Sequence, residues 1–275
     1  MQRVITAVVL LPFLIASILI SWLQPLFVLL IAAAMALGLL EFWKLAKRRG
    51  MKPDVAIGYL GAAVIFTVFC FNEPSQDAFS LLLLVVTLVL LTMVSLATAT
   101  FRGAPFDAMI SSTGATLLGV LYIALLGGHL VALRSGFEQK LSAHLLSFFF
   151  LVIMGADSGA YYVGRAIGKH KLAPKISPGK TWEGVGGGLA AGLLAATISH
   201  FWFFRELPLK WALPLAAIMV ILGIVGDLTE SALKRSAGAK DAANILPGHG
   251  GVLDRMDSLL FNAPVIYYFA RIYFQ

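Results

Sequence analysis

Nine stretches of this sequence are apolar enough, and long enough, to cross a lipid bilayer, and few folds are compatible with that property. They fall near residues 4–22, 26–45, 55–71, 79–100, 108–133, 143–165, 183–204, 211–233 and 258–274. A helix needs roughly 20 residues to span the hydrocarbon, and there every backbone N–H and C=O has to be satisfied within the segment. The expected fold is therefore all-α, a polytopic transmembrane helical bundle with about nine spans. Only 13% of the residues are charged and 59% are hydrophobic, against roughly 25% charged in soluble domains. That balance excludes an ordinary soluble domain. Proline, glycine and charge mark the connections, as at Gln24-Pro25, Arg48-Arg49-Gly50, Glu73-Pro74 and Ser177-Pro178-Gly179.

The lysines and arginines orient the chain. With the N-terminus in the cytoplasm and nine alternating spans, the far side receives only Arg134, Lys140, Arg205, Lys210 and Arg271 of the 21 cationic residues. The bias obeys the positive-inside rule and puts both long polar loops on the cytoplasmic face. Met1-Gln2-Arg3 and the apolar run after it read as a retained first helix rather than a signal peptide. The net charge of +7 is confined to short connectors, which suits anionic headgroups and phosphorylated ligands and gives no nucleic-acid arm. Cys70, alone in its type, excludes an internal disulfide and a cysteine zinc cluster. Polarity divides the chain into residues 1–141, a scaffold of transmembrane helices, and residues 142–275, a catalytic region with cytoplasmic loops.

Chemistry concentrates in the second part. On a helix, Asp227, Glu230, Ser231 and Lys234 share one face where the eighth window leaves the membrane. That face can ligate a metal and steady a phosphate; Glu230 and Lys234 are equally readable as an i, i+4 ion pair. Asp227 lies deeper and calls for a cation. Farther on come His249, Gly250, Gly251, Asp254, Arg255 and Asp257. Hard oxygen donors from Asp227 and Asp254 suit Mg²⁺, although Asp254 and Asp257 also fit helix-start roles. His249 has no second histidine at metal spacing and suits phosphate binding or a turn.

Ahead of the seventh window, Lys175, Ser177 and Lys180 lead into a helix start and form a cradle for phosphate. Gly179-Lys180-Thr181 resembles the end of a Walker A loop, but Pro174 stands where that loop needs glycine and no strand is expected before it. Asp157 lies within the sixth window between Gly155 and Gly159 and is expected to face the bundle. Gly184, Gly188 and Gly192 repeat that spacing and read as packing residues.

The run of Ser231, Leu233, Lys234, Arg235, Lys240, Asp241, Leu246, Pro247, His249, Gly250, Gly251, Asp254, Arg255 and Asp257 resembles the C-terminal motif of the bacterial phosphatidate cytidylyltransferase (CDP-diacylglycerol synthase) family. GADSGAY at 155–161, SPGKTWEG at 177–184 and GDLTES at 226–231 support the likeness. The resemblance implies a Mg²⁺-dependent transfer from CTP to phosphatidate, giving CDP-diacylglycerol and pyrophosphate, and it leaves room for a second, monovalent cation. It also implies a homodimer in the bacterial inner membrane with its active site facing the cytoplasm. Ser231, Lys234, Arg235, Lys240, Asp241, His249, Arg255 and Asp257 would then be catalytic. Asp157, Lys175, Ser177 and Lys180 would bind substrate, with Asp227 and Asp254 on the metal.

Two rival readings remain. An ion-coupled transporter would use intramembrane Asp157 and Asp227, yet the polar residues gather at one face rather than the midplane. A CDP-alcohol phosphotransferase would consume the same liponucleotide, but its Asp-Gly-x2-Ala-Arg spacing does not occur in the chain.

Overall fold

The computed structural model describes residues 12–71, 78–102, 106–239 and 251–275. Its main helices are α1 (Gln24–Arg48), α2 (Val55–Phe71), α3 (Ala78–Phe101), α4 (Met109–Ser135), α5 (Gln139–Ile167), α6 (Trp182–Trp202), α7 (Leu209–Ser236) and α8 (Leu253–Phe274). A helical stretch at 12–19 and a 3-10 turn at Ser21–Leu23 precede α1. Six helices are long and apolar enough to cross a membrane among the described residues, and Val55–Phe71 is a shorter apolar helix. The chain is a polytopic helical membrane protein.

One element departs from expectation. The connection after α5 is not an irregular loop but an antiparallel hairpin, β1 (Lys171–Ala173) and β2 (Ser177–Thr181). Lys171 pairs with Thr181 and Ala173 with Ser177. The strands satisfy one another's backbone groups, the same requirement that makes the spans helical. Thr181 ends β2 in an extended conformation, and its Oγ1 accepts the Gly184 N–H at 3.1 Å, capping α6.

Helices α5 and α6 pack most extensively, and small residues explain how. A Cβ on Gly159 would lie 2.5 Å from Ala191 Cβ and 2.6 Å from the Gly187 carbonyl oxygen, so the backbones meet at van der Waals range. Gly184 and Gly188 face the backbone oxygens of Ala160 and Ala156 in the same way. The expected packing role of these glycines is thus observed. Helix α8 packs on α7 but also on α4 and α1, so the first half of the chain encloses the last helix. Cys70 is half-buried against the core.

The helix ends sort by polarity. At one end Arg102 pairs with Asp54 at 2.6 Å, Arg49 donates to the Ser236 carbonyl, and Arg235 Nε donates to the Ile176 carbonyl at 3.2 Å. At the other end Lys140 pairs with Glu206 at 3.0 Å, and Arg134 donates to the Ser17 and Ile20 carbonyls. Of the five cations assigned to the far side, Arg134, Lys140 and Arg271 hold partners at the second end.

Gly159→Val is expected to wedge α5 from α6 and to destabilise the fold by about 1–3 kcal/mol. Gly186→Ala, where nothing lies within 4 Å of the added carbon, is expected to change little. Thermal unfolding of the two variants in detergent checks both.

Candidate active site

The hairpin, α5, α6 and α7 enclose a cavity of about 560 Å³ at the end of the bundle where α7 finishes and α8 begins. Its polar side carries Asp157, Arg165, Ser177, Lys180 and Asp227; Ile153, Met219, Val220 and Ile224 line the opposite wall. Lys180 reaches across from β2 to form an ion pair with Asp227. Ser231 lies one turn beyond Asp227 and donates weakly to its Oδ1 at 3.4 Å. Asp257, from the second turn of α8, lies within electrostatic reach of Asp227 and Asp157, and Arg255 acts on Asp157.

A second node joins α7 to α8. Lys234 Nζ sits 2.5 Å from Glu230 Oε2 and 2.7 Å from Asp254 Oδ1. Glu230 is almost fully buried, and its Oε1 has no hydrogen-bond partner among the described residues. The i, i+4 pair foreseen for Glu230 and Lys234 therefore exists, but a third group has joined it. Asp254 Oδ2 accepts the Gly251 N–H at 2.8 Å from within the first turn of α8; the N-cap is Val252, so Asp254 is not the cap and Asp257 is not at the third helical position.

The next two backbone donors go to a residue that sequence reasoning passed over. Glu41, on α1 and wholly buried, accepts the Val252 N–H at 2.9 Å on Oε1 and the Leu253 N–H at 2.8 Å on Oε2. Tyr122 was missed as well. It belongs to a π-helical turn of α4 (Val120–Leu125), a local widening often found at functional sites. Its hydroxyl is buried without a partner among the described residues, in the field of Asp257, Glu230 and Asp227.

The structure thus gathers Asp157, Ser177, Lys180 and Asp227 around one cavity, whereas Lys234 and Asp254 form a separate node off its wall, so Asp227 and Asp254 do not line the same cavity. Lys175 sits in the hairpin turn, exposed and off the cavity wall, while Arg235 is used to tie α7 to the hairpin. Lys240, Asp241 and His249 lie outside the described residues.

Charge balance bears on the metal. Asp157, Asp227 and Asp257 face Lys180 and Arg255, and Glu230 and Asp254 share Lys234. Arg165 on the cavity wall balances the first group, whereas in the second two carboxylates share one cation and Glu230 keeps an orphaned oxygen. All are hard oxygen donors, so the residues fit a divalent ion such as Mg²⁺ that fills its shell with water and phosphate. No trio of acidic, histidine or cysteine side chains forms a ready-made metal cage among the described residues.

The chain matches the sequence model of the Cytidylyltransferase family over residues 1–273. A phosphatidate cytidylyltransferase from Pseudomonas aeruginosa is 40% identical over 270 residues, covering 96% of this chain and 94% of the relative. The Bacillus subtilis protein of that name is 35% identical over 249 residues, 86% of this chain and 87% of the relative. The Haemophilus influenzae one is 48% identical over 129 residues, 46% of this chain and 45% of the relative.

Removing the cation from a buried carboxylate pair is strongly destabilising. Lys234→Met is expected to cost about 3–5 kcal/mol of stability, and adding Glu230→Gln to recover part of it. Unfolding midpoints of the single and double variants measure the coupling.

Proposed function

The chain belongs to the Cytidylyltransferase family, and we infer that it transfers the cytidylyl group of CTP to phosphatidate, giving CDP-diacylglycerol and pyrophosphate for phospholipid synthesis. What carries the inference is the likeness along 96% of the chain to a phosphatidate cytidylyltransferase. The cavity supports it, because a polar side beside an apolar wall suits a ligand with a phosphate head and hydrocarbon tails. That whole-length likeness favours the transferase over the transporter and phosphotransferase readings.

The reaction is an in-line displacement. A phosphate oxygen of phosphatidate bonds to the α-phosphorus of CTP while the bond from that phosphorus to the bridging oxygen breaks, and pyrophosphate departs with the electron pair. A phosphate monoester is largely dianionic at neutral pH, its second pKa being about 6. No side chain is needed as a base. Catalysis therefore rests on positioning and on neutralising charge.

Asp227 and Asp254 would hold Mg²⁺, with Asp257 shaping the field around them. When bound, the ion would withdraw charge from the nucleotide phosphates and orient them. Lys180 and Lys234 pair with those two carboxylates and would supply positive charge to phosphate beside a bound ion. Ser177 and Lys180 in β2, with Lys175 in the turn, would close over one phosphate group, and Asp157 would orient the substrate from α5. Ser231, Lys234, Arg235 and Arg255, with Lys240, Asp241 and His249, would carry the remaining contacts to the leaving pyrophosphate and the lipid phosphate.

The same reading comprises nine spans, a scaffold to residue 141 and a reacting region over 142–275. It includes a homodimer in a bacterial inner membrane, the cavity facing the cytoplasm, room for a monovalent cation beside Mg²⁺, and no nucleic-acid partner. The lysine and arginine bias supports the orientation.

Purified protein given phosphatidate and labelled CTP is expected to release one pyrophosphate per CDP-diacylglycerol, and to stop when Mg²⁺ is chelated. Asp227→Asn and Asp254→Ala are each expected to lower turnover by about 10²–10³-fold. Unaltered turnover in a folded Asp254→Ala protein would remove that residue from the metal.

A further inference from the structure

We propose that Glu41, on a helix of the N-terminal half, is a positioning residue for this reaction, holding the start of α8 and through it Asp254 and Asp257. The proposal rests on the reading that these two carboxylates serve the transfer.

A carboxylate that is 0% exposed needs compensation, and Glu41 receives it from backbone. Both oxygens are used, one on the Val252 N–H and one on the Leu253 N–H. With Asp254 accepting from Gly251, three successive N–H groups at the opening of α8 are held by two carboxylates. The Val252 and Leu253 donors are among those that a helix leaves unpaired at its positive end, so the Glu41 charge is stabilised where it sits. A bidentate grip fixes both the height of the helix start and its rotation. The rotation matters because a helix turns once in about 3.6 residues. Slippage by a single residue would swing Asp254 away from Lys234 and Asp257 away from Asp227.

Gly251 shows how closely the two carboxylates converge. A Cβ there would stand 2.6 Å from Glu41 Oε2 and 3.1 Å from Asp254 Oδ2. Glycine leaves room for both grips at once, a physical reason for the last glycine of the His-Gly-Gly run. Glu41 is not on the cavity wall, so it acts through α8 rather than on the substrate.

The test uses full-length protein in lipid or detergent and compares wild type, Glu41→Gln and Gly251→Ala. Glutamine keeps one acceptor but turns an N–H toward the second backbone donor; alanine at 251 crowds the same oxygens from the other side. Both variants are expected to lower kcat about tenfold to a hundredfold, the usual cost of losing support behind metal-binding groups. They are also expected to raise the Mg²⁺ concentration for half-maximal turnover and to leave KM for CTP at saturating Mg²⁺ unchanged. Independently of activity, hydrogen exchange should quicken in the first turn of α8 and stay unchanged in the first turn of α6.

A folded Glu41→Gln protein with wild-type kcat and Mg²⁺ dependence would overturn the proposal. So would lost activity with faster exchange throughout the bundle and an unmoved Mg²⁺ midpoint, since that describes a purely structural cap. If Glu41→Gln does not fold, the same two outcomes are read from Gly251→Ala. If wild-type protein makes no CDP-diacylglycerol, the reading of the reaction fails, while the exchange measurement still decides whether Glu41 holds α8.

Discussion

Carboxylates gathered where water is scarce must be matched by cations or by backbone N–H groups, and the architecture at one end of the bundle follows from that requirement. Isolated charges there would be prohibitively costly. Asp227 is met by Lys180, Glu230 and Asp254 by Lys234, and Glu41 by the opening of α8. Apart from Glu230 with Lys234 inside α7, each match joins different elements: the hairpin to α7, α7 to α8, and α1 to α8. The pairs thus hold this end together while leaving surplus negative charge beside the cavity. At the other end, Lys140 and Glu206 are both substantially exposed, and such a pair contributes little.

Close helix packing and the cavity have one origin. Gly164, Gly184 and Gly188 lie on the α5–α6 seam and also on the cavity wall. Without side chains, they let the helices approach and leave a hollow beside the contact. The hairpin then roofs the hollow with Ser177 and Lys180, because Thr181 stops β2 and starts α6 at one residue. A longer loop would bring the lysine to the same place only by losing more chain entropy.

The helices were legible because hydropathy reports burial in lipid directly; α2 was expected at the residues it occupies, and α5 and α7 extend a few residues beyond their windows. The hairpin was not, since the three residues of β1 offer no alternation to read and Pro178-Gly179-Lys180 in β2 spells a loop. The same divide runs through the site. Lys180 and Asp254 stood out as charges at the edges of apolar windows, and Asp157 and Asp227 as carboxylates inside them. Glu41 lies just as close to such an edge, but Lys44 and Lys47 nearby make it look like one member of a salt-bridged helix end. Its real partners are peptide N–H groups some 211 residues away, which carry no side-chain signature. Tyr122 was hidden for a similar reason: a single phenol in an apolar run reads as packing until the π-helical turn is seen.

Cations at the two ends are used differently, and the difference bears on how anionic ligands arrive. Away from the site, Arg134 is buried and donates to carbonyls and Gln139, Lys140 is held by Glu206, and Arg271 lies over the Phe137 ring. Those charges are engaged within the protein. At the site, Lys169, Lys171 and Lys175 stand exposed on and before the hairpin, directly above a cavity whose own lysine is paired. Exposed cations near a membrane surface attract anionic headgroups within about a Debye length. The hairpin is therefore placed to draw anionic groups toward a cavity whose polar side carries Lys180 and Arg165 beside its carboxylates.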